Sequence, residues 1–172
     1  MSLSLFDASI PTFLHTLHNL KNILEKGIAH AEARKFDPNV LATLRLYPDM
    51  LPLNRQVQIA SDAAKGAAAR LSGTEPPKFE DDETTMAELI QRVAKTIDYL
   101  QSFKPEQFAG AETRVITIKS PRNTFNFTAT DFLRHWAIPN FYFHVTTSYA
   151  LLRKAGVEIG KADFLGSVPH QA

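Results

Sequence analysis

The sequence predicts an all-α fold, a four-helix bundle with a short β-hairpin inserted before the last helix, on three observations. Four long stretches carry apolar residues at the three-or-four spacing of an amphipathic helix. Short, turn-rich connections separate them, which favours antiparallel neighbours. One segment alone, Thr113–Phe127, abandons that rhythm for β-branched and alternating residues.

The first helix is expected over Ile10–Ala31, where Ile10, Phe13, Leu14, Leu17, Leu20, Leu24 and Ile28 share a stripe, with Ser9 as N-cap and Pro11 in the first turn. Asp37-Pro38 restarts the chain as a cap and first-turn proline, opening a short helix to about Leu46. The second long helix, Pro52 to Leu71, puts Leu53, Val57, Ala60, Ala64, Ala68 and Leu71 on one face and stops at Gly73. Its alanines would let a neighbour approach closely. Thr74–Glu83, rich in proline and acidic residues, is expected to be an exposed connection. Thr85-x-x-Glu88 then forms a capping box for the third helix, which ends near Phe103 before Pro105.

Val115, Ile116, Thr117 and Ile118, the turn-forming Ser120-Pro121-Arg122-Asn123, and the alternating Phe125 and Phe127 predict the hairpin. Thr130 or Asp131 should cap the fourth helix, which runs to about Lys154 and ends before Gly156. The remainder, Gly156–Ala172, is expected to be loop with a frayed end.

At 172 residues the chain suits one domain, 1–172, with a sizeable core. Lys plus Arg number 19 against 18 Asp plus Glu, so no excess of positive charge supports binding to nucleic acid or an anionic membrane. The absence of cysteine rules out disulfides, a thiolate nucleophile and Cys-ligated zinc. Met1–Thr12 offers no basic export-signal region and carries Asp7 and Pro11, so the expected compartment is the cytoplasm. No Gly-rich phosphate loop, nucleophile elbow or His-Glu-x-x-His motif is present.

The candidate chemistry lies in Trp136–Leu152, seventeen residues without Asp, Glu, Lys or Arg, in which Asn140, His144 and Ser148 recur at a spacing of four. On an α-helix those three lie nearly one above another, in the stripe of Leu133, Ala137, Phe141 and Leu151. Polar groups in such a stripe either satisfy one another in the core or line a cavity. His144 is the group able to move a proton near neutral pH or to ligate a metal. On the second helix, Gln58 and Asp62 stand four apart at the edge of the alanine stripe, placed to face His144 across the bundle. His15, His18 and His30 read as surface groups, His170 falls in the tail, and His135 covers no nameable partner. Aromatics surround the fourth helix, Phe132, Trp136, Phe141, Tyr142, Phe143 and Tyr149, which predicts burial on every side, either centrally in a monomer or between the bundle and a second subunit, and the homodimer through one of these faces is the expectation carried forward.

Several segments resemble the DinB/YfiT-like metalloenzyme superfamily and, within it, a bacterial family known only as a domain of unknown function. They are Pro48-Asp49-Met50-Leu51-Pro52-Leu53 with Arg55-Gln56-Val57-Gln58, Ala64-Lys65-Gly66-Ala67, Pro139-Asn140-Phe141-Tyr142-Phe143-His144, and Gly156-Val157-Glu158-Ile159-Gly160-Lys161 with Asp163-Phe164-Leu165-Gly166. The resemblance implies a four-helix bundle, often dimeric, in which one helix-two histidine and a His-x-x-x-His pair on the fourth helix hold a divalent metal. Counting back nine residues from Arg153 of Leu152-Arg153 puts the second histidine of the pair at His144. The first then falls at Asn140 and the helix-two ligand near Gln58. Amide oxygen is a poorer donor than imidazole nitrogen, so the implied zinc or nickel site is expected to be degenerate, and a bound metal is not the favoured expectation.

Two functions follow. In one, a remodelled polar pocket of Gln58, Asn140 and His144, walled by Asp62, Trp136, Phe141 and Ser148, takes a small molecule or a weakly held divalent metal, with His144 as general base or ligand. In the other, these residues form a buried hydrogen-bond network in a non-catalytic structural or interaction protein.

Overall fold

Helix α1 spans Leu5–Ala33 in the computed structural model, which describes residues 3–120 and 123–167. It starts a turn earlier than its apolar stripe suggests. Ser4 is the N-cap, its hydroxyl accepting the Asp7 N–H at 3.1 Å, while Ser9 is buried and returns its hydroxyl to the Leu5 carbonyl at 2.6 Å. The extra turn buries Leu5 and sets the Phe6 ring edge-on to Phe108 at 5.3 Å, which offsets the one helical hydrogen bond that Pro11 cannot donate.

Asp37 caps the next piece as predicted, but that piece is a 3₁₀ helix, Pro38–Thr43. Helix α2 spans Leu53–Ser72 and ends at Gly73, whose φ of 78° is the left-handed geometry that only glycine adopts without strain. Helix α3, Met86–Gln101, carries the predicted capping box of Thr85 and Glu88. The backbone N–H groups of Thr84 and Thr85 on Glu88 hold its carboxyl down at about 2.

Strands β1, Val115–Lys119, and β2, Thr124–Thr128, pair antiparallel with Ile116 opposite Phe127 and Ile118 opposite Phe125. Period-two alternation puts all four on one face, and that face packs against the bundle. Pro121 and Arg122 of the predicted turn lie outside the described residues. So do His170 and the end of the tail.

The fourth rod, 129–154, is not one uniform helix. A single turn, α4 (Ala129–Asp131), is capped by the Thr128 hydroxyl, two residues before Thr130 and three before Asp131, the predicted caps. A π-helical stretch follows over Phe132–Ala137, and then α5, Ile138–Lys154. Pro139 explains the widening: it has no N–H to donate, and its ring crowds the carbonyl four residues back. The Ile138 N–H bonds to the Leu133 carbonyl, five residues back.

The expected loop after Gly156 contains a short helix, α6 (Lys161–Leu165), docked on α1. His15 therefore is not a surface group; it is half-buried and donates from Nε2 to the Leu165 carbonyl at 2.6 Å. Among the long helices, α2 lies between α3 and α5, and α1 packs on α3 and α5. Ala60, Ala64 and Ala68 are fully buried at the centre of the bundle, as small residues at a close helix crossing should be. No described helix is long and apolar enough to cross a membrane.

Candidate functional site: the cleft between α2 and α5

Increasing numbers on α2 meet decreasing numbers on α5, so the two rods run antiparallel and each turn of one faces a definite turn of the other. His144 is buried, and its Nδ1 lies 2.7 Å from Oε1 of Gln56. The Gln56 amide is oriented by its other end, since Nε2 donates to the Leu51 carbonyl at 3.0 Å. Oε1 can therefore only accept, and the imidazole carries its proton on Nδ1. Burial pushes the His144 pKa below its ordinary 6.5, which keeps the ring neutral at pH 7.

Gln56, not Gln58, is thus the partner of His144, which corrects the expected pairing. Two residues along an α-helix is a rotation of about 200°. Because α2 is covered on both sides, both amides are buried but they point to opposite neighbours. Gln58 accepts from the Arg55 guanidinium at 2.6 Å and donates to Glu83 at 2.9 Å. Phe141 and Ser148 are also fully buried and do not line the cleft between α2 and the fourth rod: the Phe141 ring stands edge-on to Phe13 at 4.9 Å, and the Ser148 hydroxyl donates to the His144 carbonyl at 2.9 Å.

Three of the predicted residues do converge. Asp62, Trp136 and Asn140 line one cleft of about 190 Å³ between α2 and the fourth rod, together with Arg70 and Ile118. The π-helical stretch supplies Phe132, Trp136 and Ala137 to its wall. Such local widenings recur at functional sites. The hairpin closes one side, with Phe125 and Phe127 at 5.4 and 5.8 Å from the Trp136 ring.

Asp62 has a second set of partners, Lys65 at 2.8 Å and Arg92 at 2.9 Å. Arg92, with a side chain only 1% exposed, also meets Asp81 at 3.2 Å and Glu83 at 3.0 Å. Burial by itself would raise the Asp81 carboxyl, but the Arg55 hydrogen bond and the charges of Arg55 and Arg92 outweigh it and hold it below its ordinary value. The acidic connection after α2 is consequently strapped down, with the Phe79 ring under Lys65 and Lys95 at 4.2 and 4.1 Å.

Residues 5–165 match the family described as Domain of unknown function (DUF1993). The chain belongs to the DUF1993 family. A solved structure, that of a DinB family member protein from Shewanella denitrificans, is similar at 46% identity with a TM-score of 0.90, covering 98% of this chain and 95% of that chain. No functionally curated protein matches.

In this DUF1993 chain the implied ligand set does not fit a shared divalent ion. Nδ1 of His144 is held by Gln56, Gln58 faces the opposite side of α2, and Asn140 opens on the cleft. Among the described residues no three His, Cys, Asp or Glu side chains cluster as a metal site requires. Sequence reasoning missed Gln56, Arg70 and Arg92. Gln56 was legible as an alternative to Gln58, but choosing between them needed the position of α5.

Proposed function

We propose that this DUF1993 protein binds a small molecule in the α2–α5 cleft, with Asn140 and Asp62 as polar contacts and Trp136 as an aromatic wall. One observation carries the reading: Asp62 of α2 meets Trp136 and Asn140, more than seventy residues later in the chain, at a cavity that the π-helical stretch and the hairpin shape together. A small concave site with an apolar wall and a few polar groups is the usual form of a ligand pocket. His144, one turn along α5 from Asn140, is not among the residues that line the cleft, and with Nδ1–H committed to Gln56 it would act on a ligand only through Nε2.

Trp136 is the single tryptophan of the chain, so its emission reports on the cleft directly. A panel of metabolite classes screened by melting temperature and tryptophan emission should yield a ligand that moves both in the wild type and neither in a folded Asn140→Ala variant. If no class moves either signal, the cleft is not a binding site.

A second reading, a non-catalytic protein in which the polar groups are structural, is favoured by the hydrogen-bond chain Leu51–Gln56–His144. It predicts that His144→Ala lowers stability and leaves every ligand response unchanged. A homodimer is a further part of the proposal, supported by the aromatic residues of the fourth rod that one chain leaves uncovered.

A further inference from the structure

We infer that the cleft recognises an oxyanion, a small carboxylate or phosphate held by the Arg70 guanidinium with its flat or apolar body against Trp136. The inference rests on the binding reading above and names the ligand's charge. Arg70 is half-buried and lines both the cleft and an adjoining groove of about 320 Å³ that holds Arg114, Thr74 and Thr117. Neither arginine has a carboxylate within ion-pair distance among the described residues, whereas Arg55 and Arg92 are both paired. Asp62, the carboxylate in the cleft wall, already faces Lys65 and Arg92, so its charge is matched without Arg70. Glu75 lines the groove but makes no ion pair with either arginine.

A guanidinium has five N–H donors in a rigid fork. Arg70 uses one nitrogen on the Gly66 carbonyl at 3.0 Å, and Arg114 uses one on the Leu71 carbonyl. Donors therefore remain on both for a planar oxyanion, which guanidinium binds in a two-pronged fashion. The backbone makes room for them. A Cβ at Gly66 would overlap Arg70 Nη1, and one at Gly73 would come within 2.9 Å of the Arg114 guanidinium. Gly66 lies about two turns before the end of α2 and Gly73 is its left-handed cap, so each leaves room for one of the two cations near the helix C-terminus. Arginines near a helix C-terminus also suit its dipole and carbonyls. That structural role alone would leave ligand charge irrelevant, which makes the two accounts separable.

Trp136 emission is titrated with benzoate, phenyl phosphate, benzamide and benzylammonium in wild type, Arg70→Gln and Arg70→Lys. Saturable shifts are expected with benzoate or phenyl phosphate, weakening as salt is raised and weaker by about tenfold in Arg70→Gln. Whichever of those two binds tighter identifies carboxylate or phosphate as the group. Arg70→Lys, which keeps the charge and loses the fork, serves if Arg70→Gln does not fold and should also bind the anion more weakly. Benzamide binding as tightly as benzoate, or unchanged anion affinity in a folded Arg70 variant, overturns the inference while leaving the cleft as a site. Silence from all four probes overturns it too, and the cleft reading then stands or falls on the wider metabolite panel.

Discussion

His144 shows how much one imidazole depends on what faces it. Its Nδ1–H is donated to an amide that is itself fixed by a backbone carbonyl, and burial disfavours the charged ring. The folded-state pKa is below the unfolded value of 6.5, so the unfolded chain binds the extra proton first. Stability tied to this residue is therefore complete above pH 6.5 and is lost as the pH falls from there through the folded pKa. Melting temperatures measured from pH 7.5 to 5 should drop for the wild type. The drop should be smaller in His144→Gln; an identical profile in the variant would show that His144 does not titrate as proposed. The choice of Gln56 over Gln58 is also made at this scale, by a half-turn of helix that residue type cannot reveal.

Among the elements, α2 carries the most conflicting demands. One side lies against α5 with alanines and Gln56, the other against α3 with Gln58, and Asp62 stands where the two meet. The acidic connection, read from sequence as solvated, is held to α3 because Arg92 is buried there and a buried cation needs partners. Arg92→Ala should cost about 3 kcal/mol in denaturant unfolding, the lower end for breaking a buried ion pair, since two of the three carboxylates can rehydrate. A loss below about 1 kcal/mol would mean that the connection is not strapped to α3 by these charges. The π-helical stretch belongs to this scale as well. Pro139 was visible in the sequence, but a proline inside a helical pattern signals a kink, a break or a widening without distinguishing them.

For the whole molecule, the aromatics of the fourth rod were expected to be buried on every side, within the bundle or against a second subunit, and one chain alone covers only part of them. Phe132 and Phe141 are buried, Trp136, Tyr142 and Tyr149 are half-buried, and Phe143 is 57% exposed. Leu51, whose carbonyl anchors the Gln56–His144 pair, is 43% exposed. If a second copy covers this edge, light scattering at micromolar concentration should give a dimer for the wild type and a monomer for Phe143→Lys. A wild-type monomer removes the homodimer and leaves Phe143 as a solvated aromatic.

Periodicity and capping chemistry determined the number, order and type of the long helices, the position of the hairpin, and which stripe of the last rod carries polar groups. These are local properties, written in residues three or four apart and in turn-forming side chains. Tertiary structure decided which neighbour each stripe meets. It turned Gln58 toward Glu83 and Gln56 toward His144, brought Asp62 and Arg70 to Trp136 and Asn140, and docked α6 over His15. A residue's face is set by its own helix, but its partner is set by how rods from distant parts of the chain pack, and that information is not local.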